Sequence, residues 1–171
     1  GRHFEQTYKV LNRTRERYKK EIEIFFPENE DVESLISSKG PYSFYESVEN
    51  RKECCYIRKV KPLKRALNNV ACWITGLRAG QSTHRSMLKQ FEMDEQFNIL
   101  KYNPLYNWSF DDVKQFIRDN NIPYNSLQDK GYVSIGCQPC TRAIKEGEDP
   151  RSGRWWWEQN SKKECGLHIK D

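Results

Sequence analysis

Two pairs of cysteines limit what this chain can fold into more than any other feature. Cys54 and Cys55 are adjacent, and Cys137 and Cys140 form a C-x-x-C motif with Pro139 inside it. Adjacent cysteines are poorly placed to bond to each other, because a disulfide needs a Cβ separation and torsion that a two-residue ring reaches only with strain. A fold that uses all four thiols together must bring two distant parts of the chain to one place.

The six cysteines of the chain allow several interpretations. Three disulfides would suit a secreted mini-protein, but the chain has 171 residues and shows no signal peptide. The C-x-x-C alone is compatible with a redox pair, half of a zinc site, or two ligands of an iron–sulfur cluster. The adjacent pair favours iron–sulfur, because neighbouring residues can each reach a different iron of a larger cluster. Zinc and a redox pair stay open on spacing alone.

The two remaining cysteines lie in different settings. Cys72 lies within the apolar run 71–78, where a free cysteine is expected to act as a small buried hydrophobe. Cys165 lies in the terminal "ECGLH", with two lysines just before it and His168 three residues on. Positive neighbours lower the pKa of a thiol and raise its thiolate fraction. Cys165 is therefore a candidate nucleophile, which a mobile tail could carry to a substrate.

The composition predicts one soluble globular domain, with 36% hydrophobic and 31% charged residues. No apolar stretch approaches the ~20 residues that a membrane-spanning helix needs, so a cytoplasmic location without membrane contact is expected. The net charge of +5 is compatible with a partner that carries phosphate or sulfate. No basic block or known motif favours nucleic acid.

Periodicity and capping signals predict helices at residues 4–22, 31–40, 62–70 and 109–121, and strands at 22–27, 71–78 and 97–105. The last helix has Ser109 as its cap, Asp112 three residues on, and an apolar face that is expected to be buried. Residues 41–58 are expected to form a connector, and residues from about 123 an irregular region. Alternating strands and helices predict an α/β domain with a mostly parallel sheet.

Several arginines occupy positions suited to an anion. Sheets of this class bind ligands at the carboxyl ends of their strands, where Arg78 ends the run 71–78 and Arg85 follows it. Arg151 and Arg154 are three residues apart, and guanidinium forks suit the oxygens of phosphate and sulfate, so we interpret them as an oxyanion clamp. The three tryptophans that follow are expected to pack as core or lid.

Five stretches together resemble a known family, the assimilatory adenylyl-sulfate (APS) reductases, relatives of the phosphoadenylyl-sulfate (PAPS) reductases. These stretches are "CCYIRKVKPLKRAL", "WITGLRAGQS", "GYVSIGCQPCTRA", "GRWWWE" and "ECGLH", and they follow in the family's order over residues 40–168. The resemblance implies a Rossmann-like fold of the adenine nucleotide alpha hydrolase type. It implies one reductase domain over 1–171, with an α/β core at 1–122 and a cluster-binding and catalytic region with a mobile tail at 123–171.

The resemblance also implies the roles of ten residues. One [4Fe–4S] cluster, which is not thought to pass electrons to the substrate, would be bound by Cys54, Cys55, Cys137 and Cys140. Lys59 would lie between this cluster and the substrate. The phosphosulfate would be bound by Arg85, Arg151, Arg154 and His168. Cys165 would be the catalytic nucleophile.

The implied reaction is the reduction of APS to sulfite and AMP through an S-sulfocysteine on Cys165. Thioredoxin or glutaredoxin would supply the reducing thiols. The alternatives are PAPS as substrate, or use of both APS and PAPS. Relatives commonly form homodimers or homotetramers, so a homo-oligomer is compatible with the resemblance.

Two features depart from the family pattern. A phosphate loop of the Ser-Gly-Gly-Lys-Asp-Ser type, which the family carries near its start, is not among these residues, so the chain is expected to be incomplete at its N-terminus and inactive alone. Arg51 stands where some members carry a histidine. Outside the family, the competing hypotheses are a structural zinc module and a thiol–disulfide protein that uses Cys137 and Cys140.

Overall fold

A computed structural model describes residues 1–82 and 85–158, and its first element is a helix. Helix α1 spans Glu5–Tyr18 and confirms the helix predicted there. Phe4, just before it, is buried and meets Tyr132 edge-on, with 5.5 Å between the ring centroids. Tyr8 stays 48% exposed, so the described chain covers only part of the predicted apolar face.

The strand predicted at 22–27 is wrong, because these residues form no regular secondary structure. A strand needs a partner for its backbone groups, and alternation of side chains alone does not provide one. The apolar side chains of this segment are exposed: Ile22, Ile24, Phe25 and Phe26. Helix α2, Asn29–Lys39, confirms the next helix. It ends where Gly40 adopts a φ of +79° and donates its N–H to the Ile36 carbonyl at 2.8 Å.

A short 3-10 turn, Ser43–Tyr45, follows, and a continuous helical run begins at Val48, within the connector expected at 41–58. Helix α3 spans Val48–Cys55, a π turn spans Tyr56–Val60, and helix α4 spans Lys61–Ala66. Ser47 caps α3 by accepting the Asn50 N–H at 3.0 Å. Pro62 lacks an N–H and its ring conflicts with the carbonyl four residues earlier, which accounts for the wider turn between α3 and α4.

Three strands form a small mixed sheet in the order β1-β3-β2. Strand β1, Cys72–Ile74, pairs in parallel with β3, Ile99–Tyr102, and β2, Phe91–Asp94, pairs antiparallel with β3. The strands predicted at 71–78 and 97–105 are confirmed in shorter form, and β2 was not predicted. Helices and a sheet with a parallel pair place the chain in the predicted α/β class.

One face of this sheet is apolar and exposed to solvent among the described residues. Its side chains share a face through their register across the strands: Cys72, Ile74, Phe91, Met93, Leu100 and Tyr102. Ile74 is 66% exposed and Met93 58% exposed. The expectation that Cys72 is a buried hydrophobe within the run 71–78 is therefore wrong here, because Cys72 is half-buried.

Buried polar contacts stabilise the opposite face and the strand ends. Lys101 pairs with Asp94, and both side chains are less than a tenth exposed. The Lys101 amino group also lies 4.9 Å from the centroid of the Trp73 ring. The Thr75 hydroxyl donates to the side-chain carbonyl of Asn103, so the segments that follow β1 and β3 start side by side.

Helix α5, Phe110–Asp119, begins with the predicted capping box. The Asp112 N–H donates to the Ser109 hydroxyl at 3.0 Å, and the Ser109 N–H donates to the Asp112 carboxylate at 2.8 Å. Its apolar face is not buried as expected, because Phe110 is 36% exposed and Phe116 48% exposed.

The described part of the region from 123 contains two 3-10 turns, Gln128–Lys130 and Gln138–Cys140, as its helical elements, in agreement with the irregular region predicted there. Across the described ranges 1–82 and 85–158, no helix is both long enough and apolar enough to cross a bilayer.

Replacing Ser109 with alanine should lower the free energy of unfolding by about 1 kcal/mol, because the substitution removes the acceptor for the Asp112 N–H. Urea unfolding monitored by circular dichroism measures the effect. Ser109→Asn keeps a capping oxygen and serves as the control, with a smaller loss expected. Equal losses in the two variants would contradict a role for the cap.

Candidate functional site

The four cysteines of the two predicted pairs line one cavity, which has an empty volume of about 330 Å³ including the open solvent at its mouth. Cys54 and Cys55 occupy the last turn of α3, and Cys137 and Cys140 flank Pro139 at the 3-10 turn. All four are free thiols. The fold therefore brings together the thiols that the sequence singled out from two distant segments.

A single zinc ion and an iron–sulfur cluster place different demands on these four thiols. Among residues 1–82 and 85–158, no three His, Cys, Asp or Glu side chains are placed to hold a single metal ion. A zinc ion would need four ligands at about 2.0–2.3 Å from one point. An iron–sulfur cluster instead takes its thiolates at different irons, so four thiols spread around a cavity fit such a group.

Positive side chains line the same cavity as the thiols: Arg2, Arg51, Arg58 and Lys59. Arg58 and Lys59 belong to the π turn that directly follows Cys55, so the widened helix keeps them beside the thiols. Burial raises the pKa of Cys54, while the nearby Arg58 guanidinium opposes this rise and hydrogen-bonds to the thiol. The positive charge of Arg58 thus favours the Cys54 thiolate, but burial prevails and the pKa of Cys54 stays above its ordinary value.

The two cysteines of the C-x-x-C differ in their electrostatic surroundings. Burial, reinforced by the neighbouring thiols, raises the pKa of Cys140 to about 12. Burial also opposes ionisation of Cys137, but positive charges led by Lys59 hold its pKa below the ordinary value. Lys59 therefore acts electrostatically on Cys137 of the C-x-x-C as well as following the adjacent pair in sequence.

Phe44 lines the cavity, and further aromatic rings pack around Phe44 and the thiols. The Tyr45 hydroxyl donates to the Pro139 carbonyl at 2.7 Å, and the Tyr45 ring meets the Trp157 ring at 4.4 Å. Trp155 is 1% exposed, which confirms the predicted packing role, whereas Trp156 is 41% exposed. A single buried cluster joins two of the thiols to two of the rings: Phe44, Cys55, Cys140 and Trp155.

Of the two arginines interpreted as a clamp, Arg154 is the more deeply placed. It is 6% exposed, and its guanidinium packs so closely on Gly136 that a Cβ atom there would clash with it. Since Gly136 precedes Cys137, this guanidinium lies beside the C-x-x-C. Arg151 is half-buried on the turn before Arg154, where its backbone N–H donates to the Asp149 carboxylate at 2.8 Å.

The remaining predicted anion-binding residues lie elsewhere. Arg85 is half-buried and donates to the side-chain carbonyl of Gln81, in the segment that follows β1. Arg85, Arg151 and Arg154 are not among the residues that line the thiol cavity. Cys165 and His168 lie outside the described residues, so their predicted roles stay predictions.

Sequence reasoning missed a buried ion pair at this site. The Arg51 guanidinium is 0% exposed and forms two hydrogen bonds with the Glu158 carboxylate, whose side chain is 4% exposed. Arg51 was noted only as a departure from the family pattern. Its spacing of four residues from Cys55 put it on the cysteine face of a helix, but a partner 107 positions away leaves no local signal.

A short loop anchors the C-x-x-C segment to the tryptophan segment. The Trp155 N–H donates to the Cys140 carbonyl at 3.2 Å, and the Arg142 N–H donates to the Gly153 carbonyl at 3.0 Å. Within the loop, the Glu148 carboxylate accepts two bonds from the Arg142 guanidinium, at 2.9 and 3.0 Å, and one from the Lys145 N–H at 2.7 Å. These donors lower the pKa of Glu148 from its ordinary 4.5 to about 2.

Comparison with known proteins finds one family over most of the chain. Residues 1–143 match the phosphoadenosine phosphosulfate reductase domain. The chain is 52% identical to an adenosine 5'-phosphosulfate reductase of Burkholderia cepacia, over 99% of this chain and 68% of that protein. It is 47% identical to one of Rhizobium tropici, over 100% of this chain and 95% of that protein.

A solved structure shares the fold. The phosphoadenylyl-sulfate (PAPS) reductase from Candida auris, in a phosphate complex, superposes with a TM-score of 0.66 at 33% sequence identity. The match covers 80% of this chain and 65% of the Candida auris chain. It confirms the predicted Rossmann-like α/β class.

Replacing Glu148 with glutamine should make the free energy of unfolding depend less on pH between about 4.5 and about 2. A lowered pKa means that ionised Glu148 stabilises the folded state above pH 4.5, and this contribution is lost as the pH falls toward about 2. Urea unfolding at a series of pH values measures the slope. Glu146→Gln removes the same formal charge from the same loop and is the control. Identical slopes in both variants would contradict the assignment.

Proposed function

Because the chain belongs to the phosphoadenosine phosphosulfate reductase family, we propose that it reduces APS to sulfite and AMP in assimilatory sulfate reduction. The observation that carries this proposal is the cavity lined by the four thiols of Cys54, Cys55, Cys137 and Cys140. It occurs in a chain that is 52% identical to a protein of Burkholderia cepacia named adenosine 5'-phosphosulfate reductase. The chain acts as an oxidoreductase on a sulfur group.

The proposed domain organisation is one reductase domain over 1–171. Residues 1–122 form the α/β core portion, and residues 123–171 form the cluster-binding and catalytic region. The contacts that support a single domain are those between α3 and the segments around Cys140 and Trp155, which share one buried cluster.

The proposed cofactor is a [4Fe–4S] cluster held by Cys54, Cys55, Cys137 and Cys140. When bound, it would cross-link α3 to the C-x-x-C segment and place its charge beside the substrate site. Two features support this proposal: Cys55 and Cys140 are buried with Phe44 and Trp155, and positive side chains that line the cavity favour thiolates.

The proposed substrate contacts are cationic: Lys59, Arg85, Arg151, Arg154 and His168. A phosphosulfate repels an attacking thiolate, and positive side chains offset this repulsion and stabilise charge on the departing phosphate. Lys59 and Arg154 suit this role because each lies beside Cys137 and lowers its pKa, although burial opposes that effect. Arg85 would approach from the segment that follows β1.

Cys165 is the proposed nucleophile. Its thiolate attacks the sulfur of APS, the bond from that sulfur to the AMP phosphate oxygen breaks, and AMP leaves with the bonding electrons. An S-sulfocysteine remains on the enzyme. A thiolate of thioredoxin or glutaredoxin then attacks Cys165 Sγ, and sulfite leaves with the electron pair of the S–S bond. A second reductant thiol breaks the mixed disulfide, so the two electrons come from the reductant.

We also propose where the protein acts and how it assembles. The reaction would take place in the cytoplasm, and the protein would be able to form a homo-oligomer. No nucleic acid or membrane partner is proposed.

A second candidate is the use of PAPS, alone or together with APS. The observation in its favour is the structural similarity to a protein named PAPS reductase. The identity to that protein is 33%, against 52% and 47% for the relatives from Burkholderia cepacia and Rhizobium tropici, which favours APS.

Anaerobic purification of the full-length protein should give a brown sample with about four irons and four sulfides per chain. Cys54→Ser and Cys140→Ser should lose most of this iron, because each removes a thiolate ligand. Cys72→Ser, on the sheet face, is the matched control and should keep it. Absorption spectra and metal analysis measure the outcome. A colourless protein with one zinc would contradict the cluster and favour the structural zinc module.

The full-length protein with thioredoxin should release sulfite from APS faster than from PAPS. Cys165→Ser should abolish release while keeping the iron of the parent, because the cysteine acts on the substrate and is not a cluster ligand. Sulfite is measured as the labelled product released from a substrate that carries a labelled sulfur. Release from PAPS alone would favour the second candidate, and release by Cys165→Ser would contradict the proposed nucleophile.

A further inference from the structure

The Arg51–Glu158 pair lies at the thiol cavity but has no place in the proposed reaction. Arg51 lines the cavity, and its charge is buried with the Glu158 carboxylate. A buried ion pair gives little net stability, since the desolvation of two charges offsets their attraction. Its effect on geometry is larger, because the paired hydrogen bonds between a guanidinium and a carboxylate hold the two side chains in one relative orientation.

The same guanidinium also contacts Trp155. The Arg51 Cζ atom lies 4.5 Å from the centroid of the Trp155 ring, and the Arg154 Cζ atom lies 4.6 Å from it. One indole therefore contacts two guanidiniums. One of them pairs with Glu158, and the other packs on Gly136 beside Cys137.

Trp155 has a backbone conformation that needs external support. Its φ is +44°, in the left-handed region that bulky residues rarely adopt. Such strain persists only where the surrounding structure enforces it. Arg51 contacts the ring, and Glu158 follows three residues later with its N–H donating to the Trp155 carbonyl at 3.0 Å. The strained residue is thus held from its ring and from its main chain.

We propose that Arg51 and Glu158 are positioning residues that act through Trp155 on Arg154. They hold the indole in place, and the indole holds the Arg154 guanidinium beside the C-x-x-C. This inference rests on the proposed function, in which Arg154 binds the phosphosulfate. Glu158 then affects APS affinity without contacting APS.

A double-mutant cycle tests the inference in the full-length protein, in a Cys165→Ser background that binds APS without turnover. The measured quantity is the equilibrium Kd for APS. Arg154→Gln should weaken binding roughly tenfold, the size of one charge-assisted hydrogen bond. Glu158→Gln should weaken it by a similar factor. The double variant should bind no more weakly than Arg154→Gln alone, because both substitutions remove the same contact.

Additive effects in the double variant would overturn the inference, since they would show that Glu158 does not act through Arg154. An unchanged Kd in Glu158→Gln would overturn it too. If the Cys165→Ser parent binds no APS, the proposed function fails, which is a different result from additivity in a parent that binds. If Arg154→Gln binds APS as tightly as its parent, Arg154 does not bind the substrate, and the inference is overturned.

Two further variants keep the test decisive if Glu158→Gln does not fold. Trp155→Phe keeps a ring but offers less surface to the two guanidiniums, and it should show the same non-additivity with Arg154→Gln.

Arg51→Lys keeps the charge opposite Glu158 but loses the planar fork. It should preserve solubility and iron content while weakening APS binding. Wild-type affinity in Arg51→Lys would show that charge neutralisation alone is sufficient and would overturn the positioning role.

Discussion

A guanidinium without access to water must be paired, and the pairing of Arg51 with Glu158 is the constraint on which the site depends. The bond joins the cysteine-bearing helix α3 to the segment that follows the C-x-x-C. Leaving one buried charge without its partner typically costs about 3–5 kcal/mol, so alternative arrangements of these segments are strongly disfavoured. The pair thus selects one arrangement of the cavity more than it adds to overall stability.

The chemistry of the site depends on two opposing features. Thiols are buried among aromatic rings, and positive side chains line the same cavity. Aromatic rings pack with Cys55 and Cys140 in one buried cluster, and burial raises the pKa of Cys54 and of Cys140. From the π turn, Arg58 opposes this rise at Cys54 and Lys59 opposes it at Cys140. Pro62, in the first turn of α4, lacks the N–H that a regular α-helix would donate to the Arg58 carbonyl, which accounts for the wider turn. A proline that looks like a simple helix start therefore influences where the cations lie.

Secondary structure could be predicted from the sequence where the residues that determine it lie close together along the chain. Ser109 and Asp112 form their capping box within one turn, and Gly40 ends α2 with its own backbone. The predictions failed where the outcome depended on a partner elsewhere. The alternating segment 22–27 has no neighbouring strand in the described chain, and the apolar face of α5 stays partly exposed although its pattern is clear. Periodicity indicates which side chains could be buried together and does not supply the surface that covers them.

By itself the sequence determined the family, the four thiols and the cationic residues that accompany them, because these depend on residue type and on spacing along the chain. Only the tertiary structure decided that Arg154 packs on Gly136, that Arg85 lies away from the thiol cavity, and that Arg51 is buried. A guanidinium looks the same in sequence whether it faces water, a substrate or a carboxylate. Its role follows from desolvation and from partners as far as 107 positions away, and both arise only when the chain has folded.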